Sequence, residues 1–132
     1  VEVQALVAKT AYGYPKRSAQ GIDVGRLTLL AAVLENRLKL PIGQYDIYVN
    51  VVGGLTVRDP GIDLAIAAAI LSGVTNKTLP PKIVLSGELG LLGEIRRSSN
   101  DPRRRKEIER LGYTPAQTIK SINDLPNLLG GN

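Results

Sequence analysis

One mixed α/β domain is predicted from three features of this chain. Residues 1–7 and 45–51 alternate apolar and polar side chains with period two, as half-buried strands do. Residues 27–38 repeat apolar side chains at helical spacing through Leu27, Leu30, Ala31, Leu34 and Leu38. Residues 64–71 are apolar on every face, the pattern of a helix buried in a core. With 132 residues, the chain suffices for one core and is short for two.

Each element has its own signal. In the first strand Val1, Val3, Ala5 and Val7 face one way and Glu2 and Gln4 the other. Residues 12–21 mix turn formers with Tyr12, Tyr14, Lys16 and Arg17, fit neither regular period and predict a loop. Asp23 is a candidate cap for the first helix, which should stop before Pro41. The second strand ends at Gly53-Gly54. Asp59 followed by Pro60 predicts the start of the buried helix, with Gly73 and Asn76 closing it. Residues 82–86 read as a strand, and Gly87, Gly90 and Gly93 as positive-φ turn positions leading into another strand near Arg97. Asp101-Pro102 opens a basic helix ending at Gly112. Ser121 and Asp124 form a capping-box pair for a last short helix ending by Gly130. The predicted order is β-α-β-α-β-β-α, a further strand in doubt, then α.

Composition closes off much chemistry. Without Cys there is no disulfide or thiolate, and without His there is no imidazole base or ligand. No apolar run approaches the roughly 20 residues that span a bilayer, so a cytoplasmic chain without membrane contact is expected. The first residue is Val and no Met occurs, which reads as a processed product or a piece excised from a longer protein. The net charge of +5 favours polyanionic partners, and residues 96–110 hold seven cations against three carboxylates.

Three blocks carry a resemblance. They are Gly21-Ile22-Asp23 through Arg26-Leu27 to Ala32-Val33-Leu34-Glu35; Asp46-Ile47-Tyr48-Val49-Asn50-Val51-Val52-Gly53-Gly54; and Ser86-Gly87-Glu88-Leu89-Gly90-Leu91-Leu92-Gly93-Glu94-Ile95-Arg96-Arg97. Together they resemble the C-terminal, Lon-protease-like domain of the bacterial RadA (Sms) family of DNA-repair proteins. The resemblance implies a Lon proteolytic-domain fold of the ribosomal-protein-S5 domain-2-like class, spanning residues 1–132 as one domain. It further implies a homo-hexameric ring, a role in recombination by branch migration, and proximity to the RecA recombinase. A zinc finger and a RecA-type ATPase domain would lie upstream, so zinc, ATP and magnesium are expected there and no cofactor in this chain. After Gly112 the chain is shorter than the family pattern, with residues 113–119 leading quickly to the final helix.

A Lon-type peptidase needs a serine at the start of the buried helix and a lysine of lowered pKa on a later one. Aligned with that pattern, this chain has Gly61 and Pro102, neither of which can act. Asp63 lies where the helix N-terminus would otherwise favour an oxyanion, and reads as a helix-terminus stabiliser. A relocated pair drawn from Ser86, Ser98 or Ser99 with Lys106 is the remaining route to catalysis. Residues 73–78 fail the P-loop pattern, which requires glycine directly before its Lys-Ser/Thr pair.

The remaining chemistry is cationic. Lys16, Arg17, Arg26 and Arg58 are the candidate phosphate-binding residues, and Tyr12 and Tyr14 the candidates for stacking on unpaired bases. Arg17 and Arg26 equally suit pairing with Asp23 or with a neighbouring subunit, and both readings stay open. Arg103, Arg104, Arg105 and Lys106 surround their helix and read as a solvated face. The expected function is a non-catalytic module for ring assembly and DNA binding. The alternatives are a purely structural oligomerisation platform and a Lon-type peptidase with altered residues.

Overall fold

The computed structural model describes residues 2–11, 13–52, 60–80, 83–96, 106, 109–115 and 119–130. Within them the mixed α/β class holds. Strand β1 (Glu2–Lys9) pairs antiparallel with β3 (Tyr45–Val52), and β2 (Arg17–Gln20) pairs parallel with β3, giving the order β1-β3-β2. Helices α1 (Val24–Leu38) and α2 (Asp63–Thr75) cover one face of this sheet. Short pairs β4 (Ile83–Val84) with β7 (Thr114–Pro115) and β5 (Glu88–Leu89) with β6 (Ile95–Arg96) complete the described strands.

The core forms where the two periodicities meet. Val3, Ala5 and Val7 of β1 and Ile47, Val49 and Val51 of β3 point at Leu27, Leu30 and Leu34 of α1 and at Leu64, Ile66, Ala67 and Ile70 of α2. The aliphatic composition suits this interlocking, because branched side chains pack closely on a pleated surface. Gly73 lies inside α2 rather than closing it: a Cβ there would approach Val7 Cγ2 to 2.6 Å, so its bare backbone lets the helix rest on β1. The helix closes at Asn76, which is left-handed at φ 56.

Several expectations are corrected. Part of the predicted 12–21 loop is strand β2, because four residues beside a long strand can form a ladder without a periodic signal of their own. The buried helix begins at Asp63 after a 3-10 turn over Pro60–Ile62, so Pro60 belongs to that turn; Asp59 lies outside the described residues. Asp23 has the extended backbone of a cap, but its side chain makes no capping bond. Of the three hairpin glycines only Gly93 has positive φ. Gly87 is required by crowding instead, since a Cβ there would meet Ile95 Cγ2 at 2.5 Å. The last helix is a 3-10 helix, Ile122–Leu128, and its Ser121/Asp124 capping box is present. The expected strand over 82–86 is described as Ile83–Val84 alone, its partner β7 being the strand left in doubt after Gly112.

Candidate functional site

The start of α2 is the position where the expected resemblance to Lon-type peptidases would place a nucleophile. Gly61 sits in the 3-10 turn ahead of it, and its carbonyl accepts from the Gly87 amide at 2.8 Å, while the Leu64 amide donates to the Gly87 carbonyl at 3.0 Å. Two backbone bonds thus strap the turn to the loop before β5. Asp63, the first residue of α2, is 1% exposed. Its Oδ2 accepts from the Leu89 amide at 2.9 Å, and Arg26 closes on it in a fork, Nε to Oδ1 and Nη2 to Oδ2, each at 2.5 Å.

This clasp joins the first turns of both helices. A carboxylate is favourable at the positive end of α2, whereas an arginine in the first turn of α1 is not, and α1 has no acidic residue there to offset it. The pair resolves both terms, since the two charges neutralise each other with bidentate geometry. Hydrogen bonding to Asp63 raises the Arg26 pKa above its already high ordinary value, against the opposing effect of burial. Chemically the site is a closed, neutral knot: Gly61 carries no side chain, and the Asp63 oxygens are already engaged. Ser86 is half-buried beside Gly87; Pro102, Ser98 and Ser99 lie outside the described residues, and Lys106 is exposed.

The cationic candidates fall in different places. Lys16 is exposed, and its amide donates to Asp46 Oδ1 at 2.8 Å. Arg17 turns inward from β2, donating to the Tyr45 carbonyl at 2.5 Å and the Ile42 carbonyl at 3.3 Å. Burial lowers its pKa, opposed by the charges of Asp46 and Glu35. Arg26 is 35% exposed and holds Asp63 rather than Asp23. Tyr14 stands 87% exposed; Tyr12 and Arg58 lie outside the described residues. Lys16, Arg17 and Arg26 therefore do not form one outward patch. Arg26 and Asp63 were each noted in the sequence but not as partners, because 37 positions separate them and no local pattern reports such a contact. Among the described residues no group of three His, Cys, Asp or Glu side chains is placed to hold a metal ion, and no helix is long and apolar enough to cross a membrane.

No family model matches the chain. Curated proteins do. It is 42% identical over 125 residues to the DNA repair protein RadA of Brucella abortus, covering 95% of this chain and 27% of that protein. The RadA of Aquifex aeolicus is 43% identical over 122 residues, or 92% of this chain and 28% of that protein. This chain is homologous to a segment of RadA. The RadA of Halalkalibacterium halodurans is 45% identical over 113 residues, 86% of this chain and 25% of its own length. The chain thus spans about a quarter of the RadA proteins it matches.

Proposed function

We propose that this chain is the non-catalytic, Lon-protease-like domain of a RadA-type DNA-repair protein, contributing to assembly of a homo-hexameric ring and to holding DNA during branch migration. The observation that carries the non-catalytic part is the Arg26–Asp63–Leu89 knot behind Gly61. A peptidase needs a hydroxyl there and open donors for an oxyanion; this position has glycine for the hydroxyl, and the Leu64 and Leu89 amides are already engaged. The repair role follows the name that the relatives share. The zinc finger, ATPase domain and RecA contacts belong to the rest of such a protein, whose location would be cytoplasmic.

For DNA, Lys16, Arg17, Arg26 and Arg58 are the proposed phosphate contacts, and Tyr12 and Tyr14 the proposed base-stacking residues. Their surroundings rank them: the Lys16 ammonium faces solvent, whereas Arg17 and Arg26 also hold backbone and helix ends together. That dual engagement favours a second reading, an oligomerisation platform with no DNA contact. Lys16→Ala with Arg58→Ala separates the two while retaining both Arg17 and Arg26. If they touch phosphate, affinity for a labelled single strand falls and its salt slope flattens by about 0.7 per lost contact. An unchanged slope with altered sedimentation would select the platform. Cleavage of an unfolded protein by the purified chain, with contaminating proteases excluded, would overturn the non-catalytic reading.

A further inference from the structure

The face of the β1-β3-β2 sheet turned away from the helices is open. Alternation places Glu2, Gln4, Leu6 and Ala8 of β1, Asp46, Tyr48, Asn50 and Val52 of β3, and Ser18 and Gln20 of β2 on it. Tyr48 is in the middle of the central strand and 37% exposed, with Leu6 directly opposite at 64% exposed and Ser18 on its other side. Two residues on, Gln4, Asn50 and Gln20 line up across all three strands as one row of amides. We propose that this face is a stacking platform for single-stranded DNA, with Tyr48 as its central base contact. The proposal rests on the DNA-binding reading above and adds which strand form is held and where.

Three features carry it. An aromatic ring on a flat open sheet, flanked by an aliphatic side chain, offers an unpaired base a surface to lie on, and a duplex presents no free base face to it. The amide row supplies both donors and acceptors for base edges. The cations sit at one rim, away from Glu2 at the far end of β1: Lys16 immediately precedes β2 and Lys9 ends β1 on the helix-side alternation, so two exposed ammonium groups flank the same end of the sheet. Asp46, between them, has Oδ1 engaged by the Thr10 hydroxyl at 2.9 Å and by the Lys16 amide. A second copy of the chain fits this face less well. Around Leu6 and Tyr48 its centre carries the amides of Gln4, Asn50 and Gln20 and the Ser18 hydroxyl, whereas homodimer interfaces are mostly apolar.

The test uses the whole chain, which contains no tryptophan, so Tyr48→Trp introduces a single reporter that can still stack. Titration with an oligothymidylate of about 15 nucleotides should quench its emission, and a duplex of equal length should not. By anisotropy, Tyr48→Ala should weaken single-strand binding roughly 5- to 100-fold while Tyr48→Phe stays near the parent. Binding without quenching, or with no loss in Tyr48→Ala, places the DNA elsewhere: the platform fails and the DNA-binding reading stands. No binding of either DNA form to the parent chain removes both. If Tyr48→Ala instead changes the sedimentation of the chain and leaves DNA affinity intact, the face is a contact between copies and the proposal is overturned.

Discussion

Asp63 shows how a single buried charge can be stabilising or costly depending on its neighbours. With Arg26 and the Leu89 amide in place, both its oxygens are satisfied. Arg26→Ala leaves the carboxylate buried without its cation, and stability to urea should fall by about 1–3 kcal/mol. That lies below the roughly 3–5 kcal/mol seen when a fully buried pair is broken, because Arg26 is partly exposed and solvent screens it. Arg26→Ala combined with Asp63→Asn should cost less than the two single losses added, since the unpaired charge is gone. Full additivity in that cycle would mean that the fork contributes no coupling. Asp46 gives the corresponding pH dependence. The Lys16 amide lowers its pKa from the ordinary 3.8, outweighing desolvation, with help from the Thr10 hydroxyl and the charges of Lys16 and Arg17. A depressed aspartate stabilises the fold above its unfolded pKa, and that stability is lost as pH falls through the lower folded value. Acid unfolding of Asp46→Asn should therefore lack this component below about pH 3.8, while its stability near neutrality carries no pH dependence from this site.

Strand β2 depends on a turn that only glycine makes easily. Gly21 follows Gln20 at φ 86, and a Cβ there would lie 2.5 Å from the Val51 carbonyl oxygen. Gly21→Ala combines an unfavourable backbone region with a steric clash against β3, and should lower the thermal midpoint by an amount corresponding to about 1–3 kcal/mol. A midpoint equal to the parent's would show that the β2-to-α1 turn can relax freely. The same element marks how far the sequence was legible. β1, β3, α1 and the core of α2 announce themselves because each repeats a pattern long enough to be read: Val3, Ala5 and Val7, or Leu27, Leu30 and Leu34. β2 has four residues and is a strand only because β3 lies beside it, so a local reading of Arg17-Ser18-Ala19-Gln20 has nothing to detect. The site divides likewise. Gly61 was legible as a glycine in the turn ahead of the buried helix. The Arg26–Asp63 fork and the Leu6–Tyr48 pair arise from contacts 37 and 42 positions apart, which only the tertiary structure supplies.

At the scale of the whole molecule, the proposed ring and the proposed DNA contact are linked through charge. One copy presents Lys9 and Lys16 at the sheet's rim, and two neutralised phosphates on a single strand correspond to a salt slope of only about −1.4. So shallow a slope means weak binding at physiological salt, because counterion release grows with the number of phosphates contacted. Several copies around a ring place the same pair repeatedly along one strand, multiplying the contacts without requiring a stronger site in any copy. The salt slope for a strand long enough to cross several subunits should therefore steepen at protein concentrations where sedimentation reports assembly, and return towards the single-copy value on dilution. Should the slope remain constant across that transition, assembly adds no phosphate contacts. The ring would then act as scaffold alone, with DNA left to the other parts of a RadA-type protein.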